Sequence, residues 1–424
     1  MHRMLIAALG AASLLAGGPA AAQEIFVGNL VDYTGATSST GKWNGLGKDD
    51  ALKYAAKNGG INGKKLSFET FDYSYQAPRS VAQYKAWKQR GAVAIQGYGT
   101  ADTEAMVGFV SEDKIPYISM SFSGHLTDPT GKGPKTQKPT PYNFFFAPSY
   151  SDGVRALVEW AAEDWKKKGG SGAPKYVHMG DNHPYPNAPK AAGEAHAKEL
   201  GFQVLNPIQY ALGGGDFKAQ CLALKESGAN YAFLANTTGS NVALLRSCET
   251  VGVDVQFLAN IWGLDEAGMK AAGKAANNIV WVLGAPPWGA DVPGMKTVRE
   301  VAKMSDPELK DYKALPYMLG VCHVFFMVDA MKWADKNGGV TGENIKKAMY
   351  ARKEWVPEGM EGVCGPATLT PEDHRSVTTV SLYRSQVTGP TESGSIAELM
   401  QAGTMGMQKI ATIEVPRRPD WLGW

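Results

Sequence analysis

Short apolar runs alternate with longer amphipathic stretches along most of the chain. Within residues 91–123, the apolar run 92–95 predicts a buried strand, and apolar residues at helical spacing follow from Thr100. A second strand is predicted from residue 116 and ends in a short, serine-rich loop. Similar strand–helix units continue from residue 25 to about residue 283, a pattern typical of doubly wound parallel sheets. We therefore predict an α/β fold.

Two polar loops follow the two strands of this unit, at residues 96–100 and 119–124. In open α/β folds, ligands bind at the sheet edge where the carboxyl ends of parallel strands meet. Thr100 is predicted to cap the helix, and the loops offer hydroxyls, backbone N–H groups and a positive helix end. These groups suit a small carboxylate or another polar head group. An ordinary helix cap beside a serine-rich turn explains the same residues, so the local pattern leaves both interpretations open.

The later parts of the chain carry fewer patterns that predict secondary structure. Residues 128–142 carry proline, threonine and lysine without periodicity, and we predict a loop there. Residues 202–210 are predicted to form one strand, and an apolar helix is predicted at 319–336. The glycine- and proline-rich tail offers one clear strand, at 377–383.

The first residues have the pattern of a secretory signal. A basic start at Arg3 precedes an apolar run, 4–17, that is too short to cross a bilayer. Small residues then predict cleavage after Ala22, which makes 1–22 a signal peptide. No cysteine lies near this point, so a lipid anchor is not expected. We expect a periplasmic protein that does not span the membrane.

Charge and cysteine content narrow the possible functions. The 43 basic and 41 acidic residues nearly balance, which gives no support for nucleic-acid binding. The four cysteines allow three disulfide connectivities, and export favours oxidation. We favour the pairs closest in sequence, Cys221–Cys248 and Cys322–Cys364. Metal ligation is the alternative, but no C-x-x-C or H-x-x-x-H spacing accompanies them, and neither a metal nor a cofactor is predicted.

Several motifs, taken in their order and spacing, resemble the exported solute-binding proteins of branched-chain amino acid ABC transporters. These motifs are Val31-Asp32-Tyr33-Thr34-Gly35, Asn58-Gly59-Gly60-Ile61-Asn62-Gly63-Lys64, Gly97-Tyr98-Gly99-Thr100 and Ile115-Pro116-Tyr117-Ile118-Ser119. The resemblance extends to about Ala367. It implies the type I periplasmic binding fold, with two doubly wound Rossmann-like lobes joined by a three-segment hinge. The N-terminal lobe would comprise 23–147 plus 286–356, and the C-terminal lobe 148–285 plus 357–424.

The same resemblance implies a ligand in the cleft between the lobes. The contacts that it implies in the first lobe are Tyr98, Gly99, Thr100, Ser119, Ser121 and Phe122. Those that it implies in the second lobe are Tyr185, Thr237, Asn260 and Trp262.

Two departures from the family pattern bear on the ligand. Residues 181–186 replace the usual Asp-x-x-Tyr-Gly, and the loop 260–263 lacks the carboxylate that amino-acid binders of the family use. A buried ammonium without a counter-charge is costly, and Asp265 is predicted to cap the helix that follows. These departures count against an α-amino acid, whereas Trp262 and Tyr98 would suit a flat or aromatic carboxylate.

We therefore predict the extracytoplasmic substrate-binding component of an ABC importer. It would bind a small polar or carboxylate-bearing solute, such as an amino acid, an amide or an aromatic or aliphatic acid, and deliver it to a membrane permease. We expect a monomer without enzymatic activity. One alternative is a periplasmic sensing module for a signalling receptor. The other is a secreted α/β enzyme, although no G-x-S-x-G elbow or other catalytic set is found.

Overall fold

The strands of this protein form two separate sheets. The structure is a computed structural model that describes residues 24–424, so the predicted signal peptide, 1–22, lies outside the described residues. The first sheet has five parallel strands in the order β2-β1-β3-β4-β5. They are β1 Ile25–Val31, β2 Leu66–Asp72, β3 Ala94–Gln96, β4 Tyr117–Ile118 and β5 Asn143–Phe144. All seven residues of β1 are buried, as its continuous apolar run predicts for a central parallel strand.

The second sheet has eight strands and is mixed. Its order is β13-β12-β11-β10-β9-β6-β7, and β8 also pairs with β6. The strands are β6 Lys175–Gly180, β7 Gln203–Val204, β8 Ile208–Gln209, β9 Tyr231–Leu234, β10 Gln256–Ala259, β11 Val280–Leu283, β12 Thr379–Val387 and β13 Met405–Glu414. The last two strands run antiparallel at one edge.

Two predictions for this sheet needed correction, and one strand was missed. The strand predicted at 202–210 is divided into β7 and β8 around Pro207, whose backbone has no N–H to donate to a ladder. The strand predicted at 377–383 begins two residues later and extends to Val387. Strand β13 was not predicted, because it is a half-exposed edge strand in which Gln408 and Lys409 interrupt the apolar alternation.

Helices connect the strands and cover the sheets. They are α1 Ser38–Lys57, α2 Ala77–Gln89, α3 Thr100–Asp113, α4 Tyr150–Lys167, α5 Pro184–Asn187, α6 Lys190–Glu199, α7 Lys218–Ser227, α8 Thr238–Val251, α9 Glu266–Ala272, α10 Met295–Ala302, α11 Leu315–Lys336, α12 Gly342–Tyr350 and α13 Ile396–Gln401. Residues 128–142 contain no helix or strand, as predicted. The strand–helix alternation confirms the predicted α/β fold.

Helix α11 is the longest apolar element that the structure describes. It is long and apolar enough to cross a membrane, but 83% of its apolar window is buried within the fold. It packs against α1, and glycines on both helices permit the close approach. A Cβ atom at Gly47 would lie 2.3 Å from the carbonyl oxygen of Tyr317, and one at Gly320 would lie 2.5 Å from that of Asn44. This packing identifies α11 as a core helix.

Both favoured disulfides are present. The bond between Cys221 and Cys248 joins α7 to α8, with 4.9 Å between the Cα atoms. The bond between Cys322 and Cys364 joins α11 to the segment that precedes β12. This pairing confirms the connectivity expected from proximity in sequence.

The chain passes between the two sheets three times. It crosses from β5 to α4, returns between β11 and α10, and crosses again between α12 and β12. Helices α10 and α11 pack on α1 and so belong with the first sheet. These crossings form the three-segment hinge of the predicted fold class, and the residue boundaries of the two lobes stay a prediction.

Candidate ligand-binding site

A small cavity lies between the two sheets, at the carboxyl ends of strands from both. Its empty volume is about 270 Å³, a figure that includes solvent at its open side. Seven lining residues come from the first sheet and form what we call the first wall: Thr37, Thr40, Tyr75, Tyr98, Gly99, Thr100 and Met120. Four come from the second sheet and form the second wall: Tyr150, Tyr185, Thr237 and Trp262. The cavity therefore has room for a small solute only.

Five of the six residues predicted for the first lobe lie on or just behind the first wall. Tyr98, Gly99 and Thr100 line the cavity directly. The hydroxyl oxygens of Thr100 and Ser121 are 2.8 Å apart, so the two loops are joined by a hydrogen bond. Ser119 lies further back, where its hydroxyl donates to the carbonyl oxygen of Ser121 at 2.8 Å. The predicted cap needs one correction, because Gly99 occupies the N-cap position and Thr100 is the first residue of α3.

The second wall contains three of the four residues predicted for the second lobe. Tyr185, Thr237 and Trp262 line the cavity, and Trp262 Nε1 donates to the hydroxyl of Tyr150 at 2.9 Å. Asn260 does not line it: its Oδ1 accepts the N–H of Ile261 at 2.9 Å, which shapes the loop that carries Trp262.

Phe122 also lies off the cavity wall, as do Ser119, Ser121 and Asn260. Its ring is packed behind Trp262, with 5.2 Å between centroids, and also contacts Tyr150 and His323. It is fully buried among these rings. Phe122 thus supports the second wall from behind.

Five lining residues were not singled out from the sequence. They are Thr37, Thr40, Tyr75, Met120 and Tyr150. Thr37 lies in the polar loop after the first strand, so its position at a strand's carboxyl end was a usable signal. Tyr75 gave no usable signal in the sequence. It reaches the cavity through a turn in which Ser74 and Tyr75 both have φ in the left-handed region, at 53° and 56°.

Several polar atoms of the cavity have no hydrogen-bond partner. Within residues 24–424, this holds for Thr40 Oγ1 on the first wall and for Thr237 Oγ1 and Tyr185 OH on the second. An unsatisfied buried polar group costs about 1–3 kcal/mol, so such groups are rare in native proteins. These three groups are free to hydrogen-bond to a polar solute in the cavity.

Helix N-termini direct their positive dipole ends at the cavity. Four helices of at least 14 residues begin at it, with Thr37 and Thr237 as the N-caps of α1 and α8 and Thr100 and Tyr150 as the first residues of α3 and α4. Each N-terminus carries about half a positive charge from the helix dipole. None of the lining residues in the described chain is charged. The site therefore favours an anionic head group over a cationic one.

The tyrosines of the cavity act as neutral hydrogen-bonding groups. Burial raises the pKa of Tyr75, Tyr98 and Tyr185 well above the usual value of a phenol. The hydroxyls accordingly remain protonated at neutral pH and can donate to a solute.

The acid nearest in sequence to the second-wall loop does not enter the cavity. Asp265 Oδ1 accepts the N–H of Gly268 at 2.8 Å, and its Oδ2 accepts the hydroxyl of Thr238 at 3.0 Å. It caps α9, as predicted. Burial raises the pKa of Asp265, a further sign that no cation is paired with it. The site thus offers no counter-charge for a solute ammonium among its lining residues in 24–424.

Residues 24–391 match the model of a protein family described as periplasmic binding protein. The chain belongs to this family. Solved structures of its fold include an ABC transporter substrate-binding protein from Aeropyrum pernix, which is 26% identical with a TM-score of 0.77. That comparison covers 94% of this chain and 98% of the other. A comparison with curated proteins found no match.

Two further structures share the fold of this periplasmic binding protein. One is a branched-chain amino acid ABC transporter protein from Thermus thermophilus with bound valine, at 20% identity and a TM-score of 0.76, covering 85% of this chain and 93% of that one. The other is a solute-binding protein from R. palustris in complex with benzoate, at 16% identity and a TM-score of 0.70. That comparison covers 93% of this chain and 99% of the R. palustris chain.

Proposed function

We propose that this periplasmic binding protein is the extracytoplasmic solute-binding component of an ABC importer. It holds a small carboxylate-bearing solute in the cavity between the lobes and presents it to a membrane permease. The observation that carries this proposal is the cavity itself, which combines unpartnered buried hydroxyls with four convergent helix N-termini and has no charged lining residue in the described chain.

The first wall holds the head group of the solute. Thr100 stands at the N-terminus of α3, where the first backbone N–H groups have no partner within the helix. Its hydroxyl is fixed by Ser121, so it is already oriented when the solute arrives. A carboxylate placed here accepts from N–H and O–H donors and is stabilised by the helix dipole.

The second wall closes over the solute. The lobes touch beside the cavity, where the N–H of Gly239 at the start of α8 donates to the hydroxyl of Ser39 on α1 at 3.1 Å. Across the gap, the rings of Tyr75 and His183 are 5.3 Å apart. A solute shifts the protein towards this closed arrangement only through contacts that it makes with the second wall, since those contacts are absent when the lobes are open. Thr237, Tyr185 and Trp262 supply them.

The solute class follows from the charges. An α-amino acid needs a counter-charge for its ammonium, and none of the lining side chains within 24–424 supplies one. A carboxylic acid without an amino group has no such need. Among the structural relatives, the benzoate complex is of this kind, and the valine complex is not. The ring of Trp262 provides an apolar face for the rest of the solute.

A titration of hydroxyl-deletion variants tests the head-group assignment. Thr100→Ala and Ser121→Ala should each weaken the binding of a carboxylate by about tenfold, because each removes one hydrogen bond to or beside an anion. Ser111→Ala is the control, since Ser111 lies on the same helix and donates to the carbonyl oxygen of Val107, away from the cavity. Unchanged affinity in both test variants would contradict the assignment.

A further inference from the structure

A buried carboxylate lies directly behind the first wall. Asp102 is the third residue of α3, and only 1% of it is exposed. A Cβ atom at Gly99 would lie 2.7 Å from Asp102 Oδ1, so this oxygen packs against the backbone that lines the cavity. The carboxylate of Asp102 would thus lie beside the segment that holds the proposed head group.

Asp102 is held by neutral partners. Its Oδ1 accepts the hydroxyl of Tyr73 at 2.7 Å, and its Oδ2 accepts the hydroxyl of Tyr117 at 3.1 Å. The hydroxyl of Tyr73 in turn accepts the N–H of Gly99 at 3.3 Å, which links the carboxylate to the cavity wall. These bonds fix the position of Asp102 without cancelling its charge.

The cation that faces Asp102 in the described chain is Lys48 on α1. Its ammonium donates to the carbonyl oxygens of Leu30 and Gly97 rather than to the carboxylate. Burial raises the pKa of Asp102 to about 7, and burial lowers the pKa of Lys48 to about 7. Near neutral pH, therefore, a small change in the local field is enough to change the protonation of either group.

The other titratable groups that face Asp102 are tyrosines. They are Tyr73 and Tyr75 after β2, Tyr98 after β3 and Tyr117 on β4. Burial raises the pKa of each well above its usual value, so they remain neutral when the site is loaded.

We propose that Asp102 sets the charge of the head-group site, so that a solute carboxylate binds together with one proton taken up by Asp102. This inference rests on the proposed function. The proton comes from solvent and is transferred to a carboxyl oxygen of Asp102, so loading adds no net charge to the buried site. Two carboxylates beside one buried segment repel each other, and protonation of Asp102 removes that repulsion.

The sign of the pH dependence follows from this linkage. A bound anion raises the pKa of Asp102 above its value in the protein without solute. At a pH just above that solute-free pKa, the loaded protein therefore carries more protons than the free protein. The affinity for the anion is then constant at pH values below the solute-free pKa of Asp102, and it falls as the pH rises above that pKa. A neutral analogue of the solute exerts no such field, and its affinity is expected to be independent of pH over the same range.

Calorimetry with benzoate and its neutral analogue benzamide tests the inference on the unaltered protein. Benzoate is expected to bind at least about tenfold more tightly at about pH 6 than at about pH 9. Proton uptake should approach one per molecule bound at about pH 8, above the free pKa of Asp102, and should be close to zero at about pH 6. Repeating the titration in buffers of different ionisation enthalpy counts the protons directly. Benzamide should take up none.

Three variants assign the proton to its site. Asp102→Asn is expected to remove the pH dependence and to bind benzoate about tenfold more tightly than the unaltered protein at about pH 9. Asp113→Asn is the matched control, because Asp113 lies on the same helix and also accepts from a tyrosine hydroxyl, that of Tyr84. In Lys48→Gln the pH dependence should persist, which separates Asp102 from the neighbouring ammonium.

The outcomes are distinguishable. Benzoate binding without proton uptake at about pH 8, or an unchanged pH profile in Asp102→Asn, overturns the role of Asp102 and leaves the proposed function standing. A profile that disappears in Lys48→Gln alone assigns the proton to Lys48 and overturns the inference as well. If neither benzoate nor the aliphatic carboxylates isovalerate and hexanoate bind at any pH, the proposed solute class fails, and the inference fails with it.

Discussion

The two walls of the cavity differ in how far their polar groups are already satisfied. On the first wall, Thr37 donates to Asp32 at 2.6 Å and Thr100 is bonded to Ser121 at 2.8 Å. On the second wall, Thr237 Oγ1 and Tyr185 OH have no partner anywhere in residues 24–424. Thr40 Oγ1 is the exception on the first wall. The first wall is therefore largely preorganised. On the second wall Trp262 and Tyr150 are bonded to each other, and Thr237 and Tyr185 depend on the solute.

This difference explains how binding can drive closure. A preorganised wall captures the head group at little entropic cost, because its side chains are already fixed. The second wall buries polar atoms whose cost is removed only when a solute supplies their partners. The stability of the closed state is thus coupled to occupancy of the cavity.

Removal of the Trp262 side chain should have the largest effect. Trp262→Ala deletes the bond to Tyr150 and the apolar face of the second wall, and affinity should fall by on the order of 100-fold, as for other buried aromatic anchors. Trp262→Phe keeps a ring and should lose about tenfold at most. Trp160→Ala, on a part of α4 away from the cavity, is the control for a missing indole. An affinity loss in Trp160→Ala as large as in Trp262→Ala would contradict a specific role.

Thr100→Val sharpens the comparison on the first wall. It replaces a hydroxyl that is bonded in the empty protein, so both the free energy of unfolding and the affinity should decrease, the former by about 1 kcal/mol. Chemical denaturation with and without solute measures both quantities. A loss of affinity without a loss of stability would show that the Thr100–Ser121 bond does not support the empty protein.

Thr237→Val should produce the opposite change in stability. It removes a hydroxyl without a partner in the described chain while keeping the shape of the side chain, so the free energy of unfolding should rise by up to about 1 kcal/mol. Affinity should fall by about tenfold, because the solute loses that partner. If Thr237→Val destabilises the empty protein as Thr100→Val does, the two walls do not differ in the way described.

Tyr185→Phe should give a smaller change of the same kind. The variant keeps the ring that packs edge-on against Tyr150, at 5.4 Å between centroids, and loses only the hydroxyl. Affinity should fall by about fivefold and stability should stay within about 0.5 kcal/mol of the parent. A loss of stability above 1 kcal/mol would mean that the hydroxyl has a partner in the empty protein.

Three of the six residues predicted for the first lobe line the cavity, and three of the four predicted for the second lobe do. The loop holding Tyr98, Gly99 and Thr100 directly follows a buried parallel strand, and the end of such a strand fixes where the next residues lie. On the second wall, Asn260 and Trp262 are two residues apart, yet only Trp262 reaches the cavity, because Asn260 bonds to the backbone of its own loop.

The parts that escaped prediction depend on long-range packing. Tyr75 reaches the cavity through two consecutive left-handed residues, which no apolar pattern marks. Strand β13 is ordered by its pairing with β12 rather than by an apolar alternation of its own. Helix α11, by contrast, was predicted from its apolar residues alone, since it is buried over most of its surface.

A thermal-unfolding screen with matched solutes tests the central claim most directly. Each set would contain a carboxylic acid, its amide and the corresponding α-amino acid, measured on the unaltered protein and on Thr237→Val. Carboxylates are expected to raise the unfolding midpoint of the unaltered protein and to raise it less in the variant, because bound solute stabilises the folded state. Stabilisation by the α-amino acids and not by the carboxylates would contradict the account.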